Sequence, residues 1–329
     1  MATNVLVEGV AFFPGRSIHT TKRKFDFTDL QITQAFKHTM KYLSALFSLA
    51  LLILFCSPSE AWAWGPGVHM VVGGKLLSNL HLLSPFLADL LSKRPNAFLY
   101  GCLSADIFIG KGVKAKAGHS HNWSVGFDLL ASARDDKVRA FAYGYLSHLA
   151  ADIVAHNFYV PNLLFTTPTA GKFSHVYIEM QADRLVPWDR KLVLNLLRQP
   201  NRAADQCLLS VMSKKRWPFR IKKRLVRSGL SVAKRKAFHN SLLMAQRALP
   251  IQDPDGYLLN MVDLTAKVVV NFLQDPKSSP ALNFDPIGAK RLDQVRRLRR
   301  AGGAGSFRAK PRFFSDDQPL ACLPDIHWL

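Results

Sequence analysis

The sequence predicts an all-α, multi-helix fold. Apolar residues recur at helical spacing between Phe141 and Phe158, and no glycine or proline interrupts this run after Gly144, which indicates a buried or half-buried helix. Four later segments show the same three-to-four spacing: 190–199, 203–217, 231–249 and 256–275. No segment alternates apolar and polar residues as a strand would. The 329 residues, 48% of them hydrophobic, are enough for a sizeable core.

The N-terminal part of the chain has the pattern of a secretory signal peptide that begins at Met40. A lysine precedes an apolar stretch at about 43–56, and residues 61–63 (Ala-Trp-Ala) form a small-x-small cleavage site. We therefore expect cleavage before Trp64 and export of the mature chain to a periplasm or the extracellular space. An uncut signal anchor is the alternative, although the apolar core is short for a membrane span.

The chain is strongly basic, with a formal net charge of +21. Such a charge favours an anionic partner, either a phospholipid surface or nucleic acid, and does not by itself choose between them. The four cysteines show no CxxC spacing, so neither a disulfide framework nor a thiolate zinc site is indicated. A single disulfide stays open for an exported protein.

The helix predicted at 141–158 carries three metal-ligand types on one stripe. His148, Asp152 and His156 are spaced i, i+4 and i+8, so they face the same side among apolar neighbours. Ionisable groups on an apolar helix are costly to bury unless they are paired or bind a metal. The alternative is that the histidines are core residues bonded to carbonyl groups and that Asp152 pairs with a basic side chain. Three ligand types at this spacing favour a metal site.

Further candidate ligands lie before and after this helix. His175 and Glu179 repeat the i, i+4 spacing, and Asp183 follows one turn later. Asp106 ends an apolar segment, and His119 and His121 lie in a loop preceded by glycine. His69 opens an amphipathic pattern five residues after Trp64, whose α-amino group would itself be able to bind a metal once cleavage exposes it. Two helices with histidines and carboxylates suggest more than one ion.

Taken together, these residues resemble the zinc-dependent phospholipase C family, secreted tri-zinc enzymes that are related in fold to the tri-zinc nucleases. The resemblance covers roughly Trp64 to Asp183. In that family the mature chain begins with a tryptophan whose amino group and carbonyl oxygen bind zinc, which matches the predicted cleavage before Trp64. The resemblance therefore implies an all-α domain with the metal cluster between its helices and up to three Zn²⁺ ions.

The resemblance also implies three ligand sets. The first zinc would be held by Asp106, His121, His148 and Asp152. The second would be held by His156, His175 and Glu179. The third would be held by Trp64, His69 and the bridging carboxylate of Asp152.

Three features depart from the family pattern. The step from Asp152 to His156 is four residues, whereas well-known members have a longer, proline-containing step; the short step keeps His156 on the same helix. His119 competes with His121 for one position, and we favour His121 because an aromatic residue follows it closely. The segment after Asp183 does not resemble the membrane-binding β-sandwich that some members append.

The predicted function is phosphodiester hydrolysis by water that zinc activates, most simply as a phospholipase C that cleaves glycerophospholipids. Asp106 has a second candidate role as a catalytic acid or base. The alternatives are a tri-zinc nuclease or phosphatase that acts on nucleic acid or phosphomonoesters, and a non-catalytic, zinc-stabilised protein that binds membranes. The first alternative predicts aromatic walls for base stacking, and the second predicts filled coordination shells.

These features divide the chain into four parts. We expect 1–39 to be an upstream extension that is not native, 40–63 to be the signal peptide, 64–285 to be the all-α domain with its metal core at 64–183, and 286–329 to be a basic, flexible tail. The segment 213–236 is dense in lysine and arginine with two aromatic residues between them, which suits an anionic membrane surface or a nucleic-acid backbone. Its alternative is an ordinary solvated helix face.

Overall fold

A computed structural model of the chain describes residues 64–108, 119–166, 172–233, 240, 242–243, 246–247, 256–302, 320 and 323–326. The predicted upstream extension and signal peptide, 1–63, lie outside these residues. Most of the helical segment predicted at 231–249 does too. All described residues belong to one structural unit.

The described residues form α-helices joined by short turns, and no strand occurs among them. The α-helices are α1 Pro66–Ser78, α2 Pro85–Lys93, α3 Pro95–Ser104, α4 Trp123–Ala131, α5 Asp136–Val154, α6 Val160–Thr166, α7 Lys172–Leu185, α8 Arg190–Arg198, α9 Arg202–Val211, α10 Arg216–Ala233, α11 Tyr257–Gln274 and α12 Ala289–Gly302. Three 3₁₀ segments, Leu80–Leu82, Ala105–Phe108 and Pro280–Asn283, and a π-helical turn, Ala155–Tyr159, complete the described structure. The all-α prediction is confirmed. In the part of the chain covered here, no helix combines the length and apolar character needed to span a membrane.

Local sequence signals explain where the helices begin. Proline occupies the first turn of α1, α2 and α3, where its missing N–H is not needed. Ser84 accepts a hydrogen bond from the Leu87 N–H at the start of α2, and Asp135 accepts one from the Val138 N–H at 2.8 Å at the start of α5. These caps satisfy N–H groups that a helix leaves without an internal partner.

Helix α5 is the centre of the fold. Every residue from Ala140 to Val154 is buried except the half-buried Tyr143, and the helix contacts α1, α3, α4 and α11. The predicted helix at 141–158 is therefore present, but its last turn, Ala155–Tyr159, is π-helical. A π turn inside a helix often marks a functional site.

Helices α3 and α5 approach closely at two glycines. A β-carbon on Gly144 would overlap the Phe98 carbonyl oxygen, and one on Gly101 would overlap the Phe141 carbonyl oxygen. The obstacles are backbone atoms, which cannot turn away as a side chain can. The contact between these helices therefore requires glycine at both positions.

The C-terminal segments pack onto the same core, and one prediction about them was wrong. The tail predicted at 286–329 was expected to be flexible, but Ala289–Gly302 forms α12, which packs on α6 and the π turn. Leu292 and Val295 are buried there. Leu292 and Val295 are three residues apart, so they form an apolar stripe on one side of α12. The many arginines around them give the segment the composition of a basic tail. Residues 303–319 lie outside the described part of the chain.

We predict that Gly144→Ala destabilises the domain and that Gly74→Ala does not. The added methyl at position 144 forces the α3 and α5 backbones apart, which costs at least about 1–3 kcal/mol. At position 74 in α1 the methyl meets open space, and the helix gains about 0.5–1 kcal/mol. Urea unfolding of both variants with zinc present measures the difference. Equal stabilities would contradict the close-contact argument.

Candidate metal centre

Helix α5 places His148 and Asp152 side by side in the middle of the core. The Asp152 carboxylate is fully buried, and its Oδ2 lies 3.1 Å from His148 Nε2. On the other edge of the imidazole, His148 Nδ1–H donates to the Cys102 carbonyl oxygen at 2.8 Å. This bond fixes the ring orientation and, in neutral histidine, leaves the Nε2 lone pair directed at the cluster.

Asp106 and His121 join this pair from two other segments. Asp106 comes from the 3₁₀ turn after α3, and His121 comes from the turn before α4. His121 Nε2 lies 3.2 Å from Asp106 Oδ1 and 3.1 Å from Asp152 Oδ2, and it lies 3.2 Å from His148 Nε2. The structure therefore brings together all four residues predicted for the first zinc.

His119 has a different position. It is buried, but its ring centroid is 5.7 Å from that of His121, and its Nδ1 accepts a hydrogen bond from the His121 backbone N–H at 3.1 Å. The geometry places His121 among the acidic groups. His119 instead holds the turn that positions its neighbour.

His69 approaches the same carboxylate from helix α1. Its Nε2 is 3.2 Å from Asp152 Oδ1, and its ring stacks on that of His148 with centroids 4.0 Å apart. Asp152 therefore directs one oxygen toward His69 and the other toward His121 and His148. This is the arrangement that a bridging carboxylate requires.

Trp64 lies beside this cluster. Its side chain is fully buried, its indole N–H donates to the Ala151 carbonyl oxygen at 3.1 Å, and its ring packs on Tyr159 with centroids 4.7 Å apart. The contact with Ala151 is one residue from Asp152 in α5. The predicted first residue of the mature chain is thus anchored next to Asp152.

Asp183 holds the start of α1, a role that sequence reasoning did not assign. Its carboxylate accepts hydrogen bonds from the Gly67 and Val68 N–H groups at 2.9 and 3.0 Å. A β-carbon on Gly65 would overlap this carboxylate, so a side chain at position 65 would displace Asp183 from its hydrogen bonds. The detectable signal was the position of Asp183 one turn after Glu179, on the same face of α7.

The second predicted set lies between α7 and the π turn. His175 Nε2 is 2.9 Å from Glu179 Oε1, and the His156 ring stands edge-on to the His175 ring with centroids 5.4 Å apart. The structure thus places all three residues of this set in one region. His156 reaches it from the π turn that follows α5.

Two groups of donors meet most closely. His69, His148 and Asp152 form one, and Asp106, His121 and His148 form the other; in each group the donor atoms all lie within 4.8 Å of one another. His148 belongs to both, whereas the sequence prediction assigned it to the first zinc alone.

The buried donors fit a cation better than they fit one another. Within the described part of the chain, no hydrogen-bond partner meets the ring nitrogens of His69 and His156 or the carboxylate oxygens of Asp152 and Glu179. Several of these atoms are close together, but not with hydrogen-bond geometry. Buried polar atoms without partners are costly, and histidine nitrogens with carboxylate oxygens are ligands that zinc prefers. The donor set therefore fits zinc.

The pKa values show how much charge the site concentrates. Burial alone would lower the pKa of His121, but its contacts with Asp106 and Asp152 raise that pKa to about 9. Burial raises the pKa of Glu179 well above its usual range, and the same two aspartates add to the effect. Burial lowers the pKa of His156 well below its usual value. In the absence of a cation, His121, which lies between Asp106 and Asp152, therefore keeps its proton at neutral pH.

Histidine and carboxylate donors that converge from several helices of an all-α domain form a candidate metal-binding site. The comparison with protein families specifies it: the model for zinc dependent phospholipase C matches residues 68–223. This match confirms the resemblance found in the sequence and covers the region that carries the cluster. All the candidate ligands except Trp64 lie within the match. No curated protein and no solved structure matches the chain significantly.

We predict that zinc binding to the metal-free protein releases protons near neutral pH. His121, whose metal-free pKa is raised to about 9, is protonated at pH 7 and must lose that proton to bind a metal. Release from His121 therefore shrinks as the pH rises through about 9, and apparent zinc affinity increases over the same range. Calorimetric titrations in buffers of different ionisation enthalpy count the protons.

The matched control for this titration is His121→Gln, which has no proton to lose at that position. It should release about one proton fewer per chain at neutral pH. Identical proton release from the variant and the parent protein would contradict the assignment of His121 to the cluster.

Proposed function

We propose that this protein is an exported zinc-dependent phospholipase C that hydrolyses the phosphodiester bond of glycerophospholipids. The observation that carries the proposal is the convergence of His69, His121 and His148 on the two oxygens of Asp152, inside the region that matches the family. The phospholipid substrate comes from the family. The choice of headgroup is left to experiment.

The proposed centre holds up to three zinc ions. The first set is Asp106, His121, His148 and Asp152; the second is His156, His175 and Glu179; the third is Trp64, His69 and Asp152. The close group of Asp106, His121 and His148 supports the first set, and the close group of His69, His148 and Asp152 supports the third. The buried Glu179 oxygens and His156 nitrogens, which lack hydrogen bonds from the described residues, support the second.

When bound, zinc supplies a Lewis acid for the phosphodiester oxygens and lowers the pKa of water to about 7. The chain supplies orientation and the route for a proton. Asp106 has 11% of its side chain exposed, whereas Asp152 and Glu179 have 0% and 1%. Asp106 is therefore the carboxylate that substrate and solvent reach first. We propose that Asp106 takes up and returns a proton at this open edge.

We also propose that the mature chain begins at Trp64. The Trp64 indole is buried, and the Gly67 and Val68 N–H groups donate to Asp183. These contacts hold the segment in a defined position beside the cluster. A free α-amino group at that position would add a nitrogen ligand. Export through a cleaved signal peptide at 40–63 would produce it.

We predict about three zinc ions per chain when the protein is expressed from Met40 and processed by its host. N-terminal sequencing should begin at Trp64. His148→Ala should lose at least one ion because His148 belongs to both close groups. The matched control is His81→Ala, which removes an exposed histidine from the 3₁₀ turn Leu80–Leu82.

The control should keep the full metal content, as measured by atomic emission on dialysed protein. Substoichiometric zinc in the correctly processed parent protein would contradict the tri-zinc mechanism and favour core histidines. Zinc that is retained in His148→Ala would remove His148 from the ligand set.

We predict that the zinc-loaded protein releases phosphorylated headgroup from phosphatidylcholine and loses this activity with a chelator. Asp106→Asn should lower the rate by about 10²–10⁴-fold because the open-edge carboxylate is lost. Single-stranded DNA and a phosphomonoester, assayed in parallel, test the nuclease and phosphatase alternatives. Faster cleavage of DNA than of lipid would overturn the phospholipase proposal, and no turnover of any substrate would favour the non-catalytic alternative.

A further inference from the structure

Helix α10 exposes a basic and apolar face that the metal centre does not use. Trp217 and Leu225, two large apolar side chains, are 73% and 59% exposed. Arg220 and Arg224 are exposed too, and helical spacing places them on the same side as Trp217. We call these four residues the α10 face.

The opposite side of α10 is fixed to the core. Phe219 is 3% exposed and packs on Phe108, with ring centroids 5.2 Å apart. Lys223 Nζ donates to the Tyr100 hydroxyl at 2.6 Å and lies 3.2 Å from Asp205 Oδ2. These contacts hold the helix in one rotation about its axis. Because Phe219 and Lys223 fix the inner side of α10, the α10 face on its other side points toward solvent.

The same anchor places α10 beside the metal centre. Phe108 ends the 3₁₀ turn Ala105–Phe108, which also carries Asp106, and α10 packs on that turn. Asp106 is the most exposed carboxylate of the cluster. The α10 face lies on the opposite side of the helix from this contact, so a surface that it contacts would lie about one helix diameter, roughly 10–12 Å, from the turn that carries Asp106.

The charge of this segment indicates the chemistry of the partner. Residues 213–236 contain eleven lysines and arginines and no acidic residue, in a chain of net charge +21. An anionic phospholipid bilayer attracts each such residue, and its interface accommodates exposed tryptophan and leucine. Tracking of single-stranded nucleic acid uses successive aromatic side chains, whereas the α10 face has one aromatic and one aliphatic residue. The bilayer is the better match.

We propose that the α10 face docks on an anionic phospholipid bilayer and so holds the metal centre close to the lipid headgroups. This proposal rests on the proposed phospholipase function for its catalytic consequence, but binding can be measured without turnover. Trp217 inserts at the interface, and Arg220 and Arg224 pair with lipid phosphates.

The experiment measures binding of the zinc-loaded protein to sedimented vesicles of equimolar phosphatidylcholine and phosphatidylglycerol. Phospholipid analogues in which a methylene group replaces the glycerol oxygen bonded to phosphorus cannot be cleaved at that bond and keep the surface intact. Arg220→Ser with Arg224→Ser should weaken binding about thirtyfold, and Trp217→Ala should weaken it about tenfold. Binding should weaken with added salt and should be much weaker on pure phosphatidylcholine.

The matched control removes two exposed arginines from α12, Arg297→Ser with Arg300→Ser. It changes the net charge by the same amount and should retain most of the binding. An equal loss in the control would overturn the proposal, because binding would then follow total charge. Wild-type vesicle binding by the α10 variants would overturn it as well, as would tighter binding to single-stranded DNA with the same variant dependence.

Hydrolysis of dispersed short-chain phosphatidylcholine separates this proposal from the proposed function. If the α10 variants lose activity on vesicles but keep it on dispersed lipid, docking is supported. An equal loss on both substrates would overturn docking, because it would place the defect at Asp106. If the parent protein hydrolyses neither substrate yet binds vesicles through the α10 face, the phospholipase proposal fails and docking stands.

Discussion

The structure depends on the burial of one carboxylate, that of Asp152. A charged group in the interior is expensive unless neighbouring groups offset its charge. Burial would raise the pKa of Asp152, but His148 and the other two histidines around it hold that pKa well below its usual range. The carboxylate stays ionised because three histidines from three separate segments, His69, His121 and His148, surround it. Those histidines are also what a metal ion needs.

The surrounding packing serves this arrangement. Helix α3 must run close to α5 for the Cys102 carbonyl to reach His148, and the glycines at 101 and 144 permit that approach. The same helix ends in the 3₁₀ turn that carries Asp106. A small increase in the distance between these helices would therefore disturb the orientation of His148 and the position of Asp106 together. The geometry of the site therefore depends on the close packing of α3 against α5.

Much of the site could be predicted from sequence because helical periodicity is a short-range property. The spacing of His148 and Asp152, and of His175 and Glu179, follows from 3.6 residues per turn and survives any tertiary arrangement. The choice between His119 and His121 depended on a turn whose geometry spacing does not determine. The role of Asp183 depended on which helix end packs against α7. Both depend on the tertiary structure, which helical spacing does not determine.

The same distinction explains the error at the C-terminus. The segment 289–302 was interpreted by its arginines, which are numerous, whereas its structure follows from Leu292 and Val295, which are buried. Charge density describes the solvent side of a helix and says little about the side that packs. The segment at 216–233 has a similar composition and also packs through a few apolar residues. Its outward face differs in exposing a tryptophan.

Asp183 connects the two parts of the metal centre mechanically. It belongs to α7, which carries His175 and Glu179, and it binds the first N–H groups of α1, which carries His69. A helix N-terminus attracts a carboxylate through its free N–H groups and its partial positive charge. The segment from Trp64 onward therefore cannot move away without breaking its hydrogen bonds to Asp183 in α7, the helix that also carries His175 and Glu179. The position of the segment before α1 and the position of His175 and Glu179 are thus coupled through Asp183.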